Sequence, residues 1–574
     1  MQRWVCWRAY GGTMRGTVTT RTFAALAVLA IGCSGSSGAS SGVTNAPPPA
    51  PTSAPEMQRP PPRTARPAGS SRPAGAPPTQ AGLAGGAASG SGATFRTTTE
   101  TPPVECGPST TGRTFDVGDG KPYTTLGAVP WANLSGGDVV RLHWRPQPWR
   151  EKILISQSGS ATKPIRFCGV SGPKGERPVL DGENATTDKS FDFIHVEGER
   201  RGLITISIRR DGQSWGDKPR HIVIDGLELR NAAVPHGFTN SRGEKKTYLD
   251  HTACIFVERG EHIVMARNDV HGCGNGLFVA SNDSEEVVSR DILIYGNYIH
   301  GNGSLSHPDR MHGIYSEAIG IVVQNNRFGP NREGSLGNQL KDRSTGTIVR
   351  YNWFEGGSRA IDLVEPEDSF AVVRQMPERH ETWVYGNVII LGARASARPI
   401  HYGGDNGSEN MYRKGTLFVY DNTMVITTNE KDLYYMAVLQ LETDDESADV
   451  RNNVIYRSGT THLSWLLEKG TARLGVNWIS NGVTTAVDRG PTVKVSAKTE
   501  MLPEGKTLNG DNPRFVNAAA GDYCLGPSSP ARNAAGELAP LLPPGLLPTL
   551  QYKKHQHTVP RRAERMDLGA FACE

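Results

Sequence analysis

Lys341, Asp342 and Arg343 stand in a row within "GNQLKDRS" (337–344), and side chains of suitable type recur at intervals on either side. A lysine beside a guanidinium that cannot lose its proton should have its pKa pushed down, which would let Lys341 act as a base near neutral pH. Arg343 would then stabilise an enolate or bind a carboxylate. Glu317, Asp362 and Glu365 are oxygen donors of the kind that hold calcium. His312, Tyr315, His401 and Asp405 add groups that stack on sugar, hydrogen-bond to it or move a proton. Together the set suits proton abstraction beside a carboxylate followed by loss of a leaving group, a β-elimination.

These residues can act together only if the chain stacks them. One short text does recur: an alternating apolar run, then Asn, any residue and another apolar residue. It reads "IVMARNDV", "ILIYGNYI", "IVVQNNRF", "IVRYNWF", "WVYGNVI", "LFVYDNTM" and "DVRNNVI", with Asn268, Asn297, Asn326, Asn352, Asn387, Asn422 and Asn453 in the fixed place. Spacings of 26 to 35 residues, with period-two alternation inside each unit, predict a solenoid of short strands. The fold class expected is all-β, a right-handed parallel β-helix over residues 106–574 with a carboxyl-terminal capping segment. The asparagines should form a structural ladder inside a turn. "IVIDGLEL" fits the frame earlier, with Asp225 in the Asn place.

A second strand series lies between the first: "GLFVAS", "GIYSEA", "QLKDRS", "AIDLVE", "PIHYGG" and "VLQLET". With Leu277, Ile314, Leu340, Ile361, Ile400 and Leu439 inward, the outward column is Phe278, Tyr315, Lys341, Asp362, His401 and Gln440. A parallel outward column carries Ala280, Glu317, Arg343, Val364, Gly403 and Glu442. Asp342 would face inward unless it caps a polar turn or the register slips. The bland alternative is an alternating-charge ladder on an exposed sheet.

"GDVVRL", "GSATKPIRFCGVSG" and "PVLDGENA" resemble the amino-terminal coils of pectate-lyase-like β-helix proteins, and "DYCLGPSSPARNAA" and "MDLGAF" their carboxyl-terminal coils. The charged rung resembles that of the calcium-dependent polysaccharide lyases with a Lys base, the chondroitinase B and alginate lyase group. That rung reads roughly Asn-Lys-Ser, so Arg343 before Ser344 is the nearest match and Lys341 lies two positions off. The arginine expected on the following coil is not found in "AIDLVE". The resemblance implies a lyase acting on a uronate-containing polysaccharide, with Lys341 as base, Arg343 as stabiliser and Glu317, Asp362 and Glu365 around calcium. The alternatives are a glycan-binding adhesin without catalysis, or a glycoside hydrolase using Glu317 and Asp362.

The rest of the chain bounds these expectations. "MRGTVTTRTFAALAVLAIGC" reads as an export signal ending at Cys33, with Met14 as well as Met1 a candidate start. The "AIGC" ending suits a lipoprotein, so the signal is placed at residues 1–33 with Cys33 lipidated and the membrane met through that anchor alone. Residues 34–105 are Ser, Gly, Ala and Pro, a disordered linker. Cys106, Cys168, Cys254, Cys273, Cys524 and Cys573 suit disulfides in an exported chain. Their pairing stays open, although Cys524 with Cys573 would tie down the carboxyl end. A formal net charge of +4 and the absence of a nucleic-acid motif argue against that partner. A polysaccharide partner, a monomer and a cell-surface or secreted location are expected. "EPED" and "ETDDE" read as acidic turns. His251, His262 and His271 lack metal-ligand spacing and read as turn caps, while Trp144 and Trp149 suit either sugar stacking or packing.

Overall fold

The computed structural model describes residues 105–573, apart from 196, 393–397, 428–435, 460–461, 488–493 and 539–540. The expected export signal, with Cys33, and the linker up to residue 104 lie outside the described residues. Among the described residues no helix is long and apolar enough to cross a membrane.

Each coil carries up to three short strands, and successive coils stack them into three long sheets of 14, 13 and 11 strands. One coil shows the path: Ile314–Ser316 in the first sheet, Ile319–Gln324 in the second and Arg327–Phe328 in the third. Neighbouring coils pair in parallel, for example Ile319 with Thr345 and Val323 with Val349. An antiparallel hairpin, Gly237–Thr239 with Lys245–Thr247, closes one edge of the first sheet. The inward columns fill the solenoid. Leu277, Ile314, Leu340, Ile361, Ile400 and Leu439 stack in register and are fully buried. Burial of each such side chain contributes roughly 1.5–3 kcal/mol.

The asparagine ladder forms as expected. Asn297 Nδ2 donates to Asn326 Oδ1 at 3.0 Å and to the Met265 carbonyl at 2.9 Å, and the pattern repeats from coil to coil. It runs one coil further, to Asn477, which accepts from Asn453. The residue before each ladder asparagine explains the turn. Arg267, Gly296, Asn325, Tyr351, Gly386, Asp421 and Asn452 all have φ between 51° and 64°. That left-handed residue swings the chain from the second sheet to the third, and the buried amide satisfies the backbone groups the bend strands. Asp225 does not occupy this place. It pairs with Ala266, so the slot falls on Leu227, whose N–H donates to Asn268 Oδ1 at 3.1 Å. Asp225 instead sits between Arg166 and Arg267.

Three disulfides form: Cys106–Cys168, Cys254–Cys273 and Cys524–Cys573. The carboxyl-terminal segment does more than cap an end. Leu538, Leu542 and Leu546 pack on Tyr351, Trp383, Tyr385 and Tyr420, and Gln556 donates to the Gly296 carbonyl, so the segment runs back along the outside of earlier coils. Trp149 is buried in the amino-terminal coils under Arg145, which supports packing rather than sugar stacking.

Candidate functional site

The first sheet places the candidates. Strands Ile314–Ser316, Leu340–Asp342, Arg359–Leu363, Arg398–Tyr402 and Ala437–Leu441 are consecutive rungs, and Tyr315, Lys341, Asp362, His401 and Gln440 align across them. The outward column expected from the alternation is therefore in register. Behind Tyr315 the same column is aromatic. Tyr315 stacks on Phe278 at 4.8 Å, and Phe278 meets Phe256 edge-on at 5.5 Å.

Two loops turn this flat face into a site. After Ser316 and after Asp342 the chain reaches the second sheet within two residues, but after Leu363 and Tyr402 it detours through 364–380 and 403–414. These detours cover Lys341, Arg343, Asp362 and His401, all nine-tenths buried or more. Asp405, on the second detour, reaches back so that one carboxylate bridges both cations: Oδ2 to Lys341 Nζ, and Oδ1 to Arg343 Nη2 at 3.1 Å. The Asp405 side chain keeps 31% of its surface exposed. Arg343 also pairs with Glu365 at 2.8 Å and Glu367 at 3.2 Å, and its Nε donates to the Tyr315 hydroxyl at 2.8 Å.

Asp362 is the centre of the second half. It meets Lys341 at 3.3 Å, Arg359 at 3.1 Å and His401 Nδ1 at 2.5 Å, and accepts from Asn338 Nδ2 at 2.6 Å. His401 Nε2 contacts Glu442 at 2.8 Å. Burial works against the Asp362 charge, but Lys341, Arg359 and His401 outweigh it and hold the carboxyl well below its usual range. Burial and Arg359 oppose the His401 charge, yet Asp362 and Glu442 raise its pKa.

Lys341 corrects the expectation of a lowered pKa. Burial lowers it and Arg343 adds to that, but Asp362 and Asp405 prevail and the pKa is raised. The ammonium lies between two carboxylates, so it is a fixed positive charge rather than a ready base. Arg343 is likewise held charged: burial opposes it, while Tyr315, Glu365, Asp405 and Glu367 raise its pKa.

The carboxylates expected to hold calcium are not brought together. Glu317 is buried under the first detour, where it accepts from Ser369 N and Oγ, both at 2.7 Å, and from Asp368 N at 3.2 Å. Burial, reinforced by Asp368, pushes its pKa up to about 8. Asp362 is taken by cations, and Glu365 by Arg343 and the backbone N–H groups of Asp405 and Asn406. These donors do not fit a calcium ion, which needs several unengaged oxygens around one centre. The same engagement removes Glu317 and Asp362 as a glycosidase pair.

His312 is buried and faces the cluster. Its Nδ1 accepts from Asn338 N at 3.0 Å, which places the proton of the neutral ring on Nε2, and Nε2 meets no hydrogen-bonding partner among the described residues. Burial, then Lys341, pushes its pKa down to about 3. Asp342 points inward without a register slip. Arg413, from the second detour, enters the interior to meet it at 2.8 Å, with the Ser316 and Thr347 hydroxyls and the Ser344 N–H also donating to it. Reading the sequence missed Arg413, Asn338 and Arg359. Arg359, one residue ahead of "AIDLVE", supplies the cation on the following coil.

A family model described as the right-handed β-helix region matches residues 226–374. The protein is a right-handed parallel β-helix. No curated protein matches its sequence. Solved structures similar to this β-helix include alginate lyase from Paenibacillus sp. str. FPU-7, at 14% identity over 66% of this chain and 94% of that one, with a TM-score of 0.28. Pectate lyase Pel9A is 12% identical over 81% and 97%, with a TM-score of 0.32. DFA-IIIase from Arthrobacter chlorophenolicus A6 is 12% identical over 65% and 83%, with a TM-score of 0.33. At these identities and TM-scores the likeness extends to the fold and no further.

Proposed function

We propose that this β-helix is an exported, lipid-anchored protein that cleaves a uronate-containing extracellular polysaccharide by β-elimination. The observation that carries the reading is Asp405. Its carboxylate, on a detour at the surface, bridges two buried cations that face outward from the sheet. A substrate carboxylate that displaced it would meet Lys341 and Arg343 together, and their charges would stabilise the enolate formed when the adjacent carbon loses its proton.

In this reading Tyr315 moves that proton. Burial raises its pKa, whereas Arg343 and Lys341 favour its phenolate form. The phenolate takes the proton from the carbon beside the carboxylate, and the electron pair forms a carbon–carbon double bond. The bond to the glycosidic oxygen breaks, and the tyrosine returns the proton to that oxygen. His312 offers its Nε2–H as a hydrogen bond to substrate, while Lys341 and Arg343 act through charge.

The test follows ultraviolet absorbance of unsaturated uronate ends across a panel of uronate polysaccharides. Activity should climb into the alkaline range as Tyr315 deprotonates and should survive a chelator. Tyr315→Phe should cost about 10²–10⁴-fold, and Lys341→Ala and Arg343→Ala should also be impaired. Full activity in Tyr315→Phe would sink the assignment. A second reading, glycan binding without catalysis, is favoured by the pairing of the site's cations with carboxylates. Polysaccharide retained by the protein, with no absorbance on any substrate, would establish that reading instead.

A further inference from the structure

The third sheet carries a second cluster, independent of the site above. Strands Glu228–Arg230, Asp269–His271 and Tyr298–His300 lie on consecutive coils, with His271 opposite His300 and Asp269 opposite both Glu228 and Tyr298. Residues two apart on a strand share a face. Asp269, His271 and His300 therefore project outward together, while Val270 and Ile299 between them point into the core. One donor atom from each of the three lies within 4.8 Å of the others. His300 Nε2 is 3.0 Å from Asp269 Oδ1, and the two imidazoles stack at 4.9 Å. Tyr298 packs on His300 at 4.0 Å. The three are half-buried, so their donor atoms are held by the sheet yet open to solvent.

We propose that Asp269, His271 and His300 form a binding site for a divalent transition-metal ion, with zinc the best match. Two imidazole nitrogens and one carboxylate oxygen are a donor set for zinc rather than for calcium or magnesium. Three protein donors leave a further position for water or an external ligand. Glu228 lies 3.3 Å from His271 Nε2 and is itself held by Arg230 at 2.9 Å, so it stands beside the site as an orienting neighbour. Parallel pairing has already fixed the backbone of all three donors, so only side-chain rotations separate the observed arrangement from ligand distances of about 2 Å. Linear spacing hides the site. Strands 29 residues apart in sequence are neighbouring rungs in space, and that is why His271 reads as a turn cap from sequence alone.

The full chain, without a histidine tag, would be titrated calorimetrically with zinc chloride, and cobalt(II) would be added in parallel for its visible ligand-field bands. Wild type should show a one-equivalent step and the cobalt bands. His271→Ala/His300→Ala should lose both, and Asp269→Asn should bind more weakly. Circular dichroism without metal would check folding, and if the double variant is unfolded, His300→Gln alone decides the matter. No one-equivalent step in wild type, or a step and bands unchanged in a folded variant, would overturn the proposal.

Discussion

Residue by residue, the site gathers charges of both signs that burial alone would neutralise. The Asp362 carboxylate stays ionised because three cations meet it, and Lys341 stays protonated because two carboxylates do. Glu317 is the exception. It has N–H and hydroxyl donors but no cation, and burial pushes its pKa up to about 8 from a usual value of about 4.3. Between those values the folded protein holds a proton that the unfolded chain has released. Stability attributable to this group therefore falls as pH rises through that interval, and the loss is complete above about 8. Glu317→Gln has no proton to lose. Denaturant unfolding from pH 5 to 9 should show wild type losing stability relative to the variant up to about pH 8, then running parallel to it. Parallel curves throughout would show that Glu317 is ionised when folded.

At the level of elements, sequence legibility followed regularity. Alternation set which side chains of "GIYSEA", "QLKDRS" and "AIDLVE" face out, because a strand in a stacked coil has only two faces, and the structure keeps that register. The detours 364–380 and 403–414 have no period, so nothing local announced that Asp405 would bridge Lys341 and Arg343. Nor could Arg413 be matched to Asp342, 71 residues earlier. Arg413 spends its whole guanidinium there: Nε on the Val364 carbonyl at 2.6 Å, Nη1 on Thr347 and Thr382, and Nη2 on Asp342. Arg413→Ala would leave Asp342 charged and buried with no cation, only two hydroxyls and the Ser344 N–H. The expected loss is about 3–5 kcal/mol, read from denaturant unfolding. Lysine should not rescue it, since one ammonium cannot span those acceptors. A loss below about 1 kcal/mol, the range of an exposed pair, would mean that water reaches Asp342.

Across the whole molecule, the first sheet continues past the site in both directions, so an extended polymer would touch coils well away from Tyr315. On the amino-terminal side the outward column is aromatic, and at the coil of Phe256 Trp215, which packs on Arg259, is 48% exposed. Arg259 lies under the Trp215 ring at 4.2 Å and donates to the Trp215 carbonyl at 2.6 Å, and His195 meets the ring edge-on at 5.9 Å, so the indole is held in place. Arg259 follows the strand that bears Phe256, three rungs from Lys341, or about 14 Å at the usual strand spacing. If the protein cleaves a polymer at Tyr315, as proposed, a ring at that distance would not influence the bond being broken but would hold the chain that leads to it. Trp215→Ala should therefore raise KM for long polymers with kcat little changed, and should leave the shortest cleavable oligosaccharides unaffected. Equal effects on short and long substrates would mean that the tryptophan serves the fold and that the polymer crosses the sheet by another path.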